Sequence, residues 1–136
     1  MLRRLPILIL FLAAHALAKE DYRNQPCKTP ELAPSCIRIH GRLQEANGRP
    51  SYRLWHVGTS HIFGIYSNRY GFLHDAETLD NEGPNLPPAI ESKRSKDRYI
   101  DQVFADYEVC PLEPLRQRRM QAACIASAAH IVVPKD

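Results

Sequence analysis

The sequence predicts an all-β domain, a small five-stranded open barrel of the OB type, on three observations. Five short stretches read as strands, several of them alternating apolar and polar residues with period two. They fall in the order three strands, a long connection, two strands, which is the order of an OB barrel. Four cysteines, Cys27, Cys36, Cys110 and Cys124, lie in what remains after an export signal, as suits a small disulfide-stapled domain. A small antiparallel β-sandwich uses the same strand list and stands as the alternative.

The first 18 residues, MLRRLPILILFLAAHALA, carry two arginines, an apolar run from Leu5 to Ala14 and the small-residue triplet Ala16-Leu17-Ala18. That is the layout of a cleaved signal peptide, too short in its apolar part to stay as a membrane span. The expectation is therefore a periplasmic or secreted protein with no permanent span. Cleavage leaves 118 residues, enough for one small domain. It also removes Arg3 and Arg4, leaving 16 basic against 15 acidic residues. A net charge near zero gives no general attraction to nucleic acid, and none is expected as a partner.

Residues 19–35 hold three prolines and few apolar groups and read as an irregular arm. The domain proper is expected over 36–136. Ile37, Ile39, Gly41 and Leu43 alternate with Arg38, His40, Arg42 and Gln44, the pattern of a half-buried first strand. Asn47-Gly48 supplies a hairpin turn. SYRLWHV is the second strand, GTS a tight turn and HIFGIY the third. The connection 67–101 is rich in proline and charge, with Pro88 placed to open a short helix through AIESKRSK. VFADYEVCPL and MQAACIASA form the last hairpin around the charged segment EPLRQRR, and HIVV extends the fifth strand or makes a sixth.

If that hairpin centres on Gln117, Cys110 and Cys124 stand opposite each other, at a separation a disulfide accepts. The expected bonds are therefore Cys110–Cys124 and, by default, Cys27–Cys36. Metal ligation by the thiols is disfavoured, because neither pair has zinc-site spacing.

GRLQEANGRPSYRLWHVGTSHIFGI, with VFADYEVCPL and MQAACIASA, resembles a functionally uncharacterised family of small exported bacterial proteins with the pattern G-R-L, N-G-x-P-S, R-L-W-x-V-G-T, G-I and later V-C-P and C-I-x-S-A. The resemblance covers most of 41–128, implies export and a compact domain, and transfers no catalytic residue. Where the pattern has Gly-Asp-Phe, this chain has Ala105-Asp106-Tyr107, which argues against a tight bend or bulge there.

No nucleophile elbow or phosphate-binding glycine loop occurs, and the pairs Asp75/Glu77 and Asp106/Glu108 read as solvated carboxylates. The expectation is a non-enzymatic binding or interaction module. Tyr52, Tyr66, Arg42, Arg53 and Arg69 are its candidate contacts, since aromatic faces beside guanidinium groups suit a saccharide, another small ligand or a partner protein. On the second strand Tyr52 and Leu54 share one face, and Arg53, Trp55 and Val57 the other; Trp55 is expected in the core. The alternative is a metal-binding or metal-dependent protein holding zinc or copper through His56, His61 and His74.

Overall fold

The computed structural model describes residues 22–75 and 83–135. Its strands are β1 (Ile37–Glu45), β2 (Tyr52–His56), β3 (Ile62–Ile65), β4 (Val103–Pro111) and β5 (Gln121–Val132). They close into a barrel in the order β1-β2-β3-β5-β4. Every neighbouring pair is antiparallel except β3 with β5. The five-stranded barrel expected from the strand order is thus present, and it is closed. The expected signal, residues 1–18, lies outside the described residues; among these, no helix is long and apolar enough to cross a membrane.

Alternation decides which side of each strand faces inward. In β1 the buried set is Ile39, Gly41 and Leu43, opposite Tyr107, Ala105 and Val103 of β4. A Cβ at Gly41 would lie 2.7 Å from Leu54 Cδ1 and 3.1 Å from Tyr107 Cδ2, so the missing side chain makes room for two large neighbours. Tyr107 is fully buried, and its hydroxyl donates to the Val103 carbonyl at 2.7 Å. Leu54, Phe63, Ile65 and Ile125 fill the remainder from the other strands, while Ile90 and Ile100 join from the long connection.

The last hairpin keeps the predicted register at its closed end, with Cys110 opposite Cys124 and Val109 opposite Ile125. Farther along, the register shifts between Glu108 and Val109 and again between Phe104 and Asp106. The irregularity discounted at Ala105-Asp106-Tyr107 is therefore present, with Ala105 wholly buried within it. HIVV continues β5 and makes no sixth strand.

The disulfide pairing departs from expectation. Cys27 bonds Cys124 and Cys36 bonds Cys110; no Cys110–Cys124 or Cys27–Cys36 bond forms. The two hairpin cysteines do oppose each other, but both side chains project outward, where the arm crosses the β4–β5 ladder and brings two more sulfurs as close. A bond across the ladder would join strands already hydrogen-bonded together. Bonds to the arm instead fix a segment that has only short 3₁₀ turns at Tyr22–Asn24 and Ala33–Ser35. They close loops of 97 and 74 residues in sequence, each worth about 4–5 kcal/mol in the chain-entropy model taken singly.

Within the connection, α1 (Arg69–His74) is a helix the sequence reading did not place, and α2 (Pro88–Glu91) begins at the predicted proline but stops after four residues. Asn68 caps α1 by accepting from the Gly71 N–H at 2.9 Å, while its amide donates to the carbonyls of Tyr22 and Gln25.

A non-reducing tryptic digest should join peptide 24–28 to 120–135 and peptide 29–38 to 99–116. Recovery of 99–116 joined to 120–135 would show the pairing to be wrong. Replacing Cys27 and Cys124 together by serine should lower unfolding stability by about 2–5 kcal/mol in denaturant titration.

Candidate ligand-binding face

The outward residues of the barrel form cross-strand rows. One row runs Val132, Phe104, Arg42, Trp55, Ile62 across β5, β4, β1, β2 and β3, each residue directly paired with the next. Val132 is 59% and Ile62 39% exposed, and Phe104, Arg42 and Trp55 are half-buried. Trp55 is thus not in the core: the inward set of β2 is Tyr52 and Leu54, at 3% and 0% exposure. A tryptophan is large enough to be half covered by its row neighbours while remaining on the outer face.

The indole is held from two sides. Its Nε1 donates to the Thr59 carbonyl at 2.7 Å, in the turn where Gly58 has φ 86°. Over its face sits the Arg42 guanidinium, 4.9 Å from the ring centroid. Arg42 Nε is buried there with no hydrogen-bond partner. Beside this row His40 stacks on Phe104 and donates from Nδ1 to one Asp106 oxygen at 3.1 Å; His130 Nδ1 donates to the other at 2.9 Å. These contacts, with His40 first and His130 second, hold the Asp106 carboxyl below its ordinary pKa.

The other predicted contacts are dispersed. Arg53 is on the outer face but bends back to the turn, Nη2 donating to the Asn47 carbonyl at 2.9 Å and Nε to Pro50 at 3.4 Å. Tyr52 points inward. Tyr66 packs edge-on against Phe72, and Arg69 pairs with Glu31 at 3.6 Å, so both belong to the α1 corner. Of the proposed metal ligands, His56 and His61 oppose each other across the β2–β3 turn, the His56 N–H donating to the His61 carbonyl at 3.1 Å. The His61 ring lies against Phe63, and its Nε2 is buried without a partner. His74 is on α1, its ring tilted against Tyr70, beyond the far end of β3. Among the described residues no three histidine, cysteine or acidic side chains converge on a metal position.

Tyr52 instead forms the wall of a polar cleft of about 550 Å³ lined also by Arg23, Glu45, Asn85, Glu91, Arg94 and Arg98. Arg94 uses four of its five N–H donors: its guanidinium forks onto the Glu91 carboxylate, Nη1 donates to the Tyr52 hydroxyl oxygen at 2.7 Å, and the same nitrogen reaches the Arg98 carbonyl at 3.1 Å. The pair with Glu91 raises the Arg94 pKa further above its ordinary value. Burial raises the Tyr52 phenol, against the opposing effect of Arg94. With its central cation already bound on three sides, the cleft joins the connection to the barrel wall more than it offers a free charge.

Val132, Phe104 and Ile62 are the members of the outer row that the sequence does not mark as contacts. Each sits at an outward position of a legible strand, but only the pairing register places them beside Arg42 and Trp55. Compared with protein-family models, with curated proteins and with solved structures, the chain matches none.

The phenols give a pH test. Burial raises both Tyr52 and Tyr107 above the unfolded value near 10. The stability they contribute is complete below that value and is lost as pH rises through their native pKa values. Alkaline absorbance titration should show Tyr52 and Tyr107 ionising only as the protein unfolds. Tyr107→Phe, which leaves the Val103 carbonyl without its donor, should cost about 1–2 kcal/mol and remove one late-ionising phenol. A titration in which Tyr107→Phe removes no late-ionising phenol would contradict this.

Proposed function

We propose that this chain is an exported, periplasmic or secreted binding module, without catalytic chemistry of its own, that recognises a ligand on the outer face of β1, β2 and β3. Export is supported by the N-terminal sequence, by the resemblance to small exported bacterial proteins, and by two disulfides, which persist in oxidising compartments. The observation that carries the reading is the Phe104–Arg42–Trp55–Ile62 row, where an indole fixed by Thr59 lies under a guanidinium whose Nε has no partner.

Such a surface suits a ligand with an apolar face and an acceptor at its rim. A saccharide ring has this form, as does a partner protein's extended segment. The ionisable groups around the row are engaged within the fold, Asp106 by two histidines and Glu108 by Lys28 at 3.0 Å. They accordingly read as positioning groups for the surface.

Trp55 is the chain's single tryptophan, so its emission reports on this face alone. Titration with panels of oligosaccharides and of short peptides should yield ligands that shift the emission, and Arg42→Ala should weaken them about tenfold, the size of one charge-assisted hydrogen bond. Binding unchanged by Arg42→Ala and Phe104→Ala together would remove the reading.

A further inference from the structure

We propose that the loop joining β4 to β5, together with the turn joining β1 to β2, docks the protein on an anionic phospholipid surface. This goes beyond the Trp55 face and does not depend on it.

The two segments meet at one place on the barrel. Gly64 of β3, the partner of Arg53, is overlaid by the β1–β2 turn so closely that a Cβ would lie 2.5 Å from Pro50 Cγ; Met120, at the end of the β4–β5 loop, has its Cβ 3.8 Å from the same point. Residues 46–51 and 112–120 hold four arginines, Arg49, Arg116, Arg118 and Arg119, against one carboxylate, Glu113. The rest of the chain from Lys19 onward holds 12 basic and 14 acidic residues. A nearly neutral protein therefore has one strongly basic end, and a charged surface sees that end first.

These cations are available. Arg49, Arg118 and Arg119 are exposed and meet no acidic or hydrogen-bonding partner among the described residues. Arg116 reaches Glu113 only at 3.9 Å, and Glu113 is occupied in accepting the Ala122 N–H at 3.2 Å.

Leu115 distinguishes the kind of polyanion. At 68% it is the most exposed large apolar side chain among the described residues, and it lies immediately before Arg116 in a run, 114–119, that is exposed throughout. Against a hydrated acidic polysaccharide or a nucleic acid it would gain nothing. Series of aromatic rings, which single-stranded nucleic acid uses, are lacking on the loop. At a bilayer both residue types find partners: guanidinium forks meet lipid phosphates and the leucine enters the acyl boundary.

Sedimentation with vesicles tests this, using the protein as recovered from cells so that its N-terminus is common to every variant. Vesicles of equal phosphatidylglycerol and phosphatidylcholine should bind it, and vesicles of phosphatidylcholine alone should bind it far less. Each arginine near such a surface contributes about fivefold, so joint Arg116→Gln, Arg118→Gln and Arg119→Gln should lower partitioning on the order of 100-fold. Leu115→Ser should lower it roughly fivefold at unchanged charge. Near-ultraviolet circular dichroism should be unchanged in all of them, since the loop is exposed. Partitioning unaffected by the triple substitution overturns the proposal. So does retention on an acidic polysaccharide that matches the vesicle affinity and is indifferent to Leu115→Ser, which would assign the arginines to a sugar polyanion. Trp55 emission should not respond to vesicles; a response there without loss in the loop variants would place the lipid on the other face and also overturn it.

Discussion

The bonds Cys27–Cys124 and Cys36–Cys110 are the constraint on which the rest of the architecture rests. The segment they hold has no strand pairing and little apolar surface, so its other ties to the barrel strands are as slight as the exposed Lys28–Glu108 pair. Once held, it supports the connection in turn. Tyr22 becomes buried and stacks on Tyr70 of α1, and its carbonyl takes the Asn68 amide that also caps that helix. Six residues are far too few for a helix to persist unaided in water. Arg23 then donates to the Gly83 carbonyl at 2.8 Å, and Asn85 returns a bond to the Arg23 carbonyl, so the wall of the polar cleft hangs from the same arm.

The arm also covers part of the barrel surface. It covers the outward side of β4 and β5 at Cys110 and Cys124, both fully buried although they alternate with core residues. Lys28 pairs with Glu108 a little farther along the same strand. On β3 the outward Gly64 is overlaid instead by the β1–β2 turn, whereas the row through Arg42 and Trp55 stays half-buried to exposed along its length.

Much of the barrel was legible because alternation is a local signal: the inward set Ile39, Gly41, Leu43 and the hairpin register that opposes Cys110 to Cys124 could be read directly. The disulfides could not, because the path of an aperiodic arm leaves no trace in the strands it crosses. Opposition in a ladder made a bond possible without selecting it. Trp55 was misplaced for a different reason. In β2 either alternate set was apolar enough to be the core, and the choice falls to the space beside Gly41, which Leu54 fills. The dispersal of His56, His61 and His74 reflects chain reversal: a four-residue turn brings the first two face to face, whereas β3 carries the chain away before α1 presents the third.

The energetics of Arg42 argue that its place on Trp55 is not a device for stability. A guanidinium over an indole at a partly exposed site is worth about 0.5–1 kcal/mol. A buried donor without a partner costs about 1–3 kcal/mol. The balance runs against the fold, yet both neighbours in the row are rigid, Phe104 within the β1–β4 ladder and Trp55 through Thr59. A side chain kept in such a position by its surroundings is already ordered, so an acceptor that meets the terminal nitrogens of its guanidinium gains a hydrogen bond without first ordering the residue. The same cost would be pointless on a surface that only faced water.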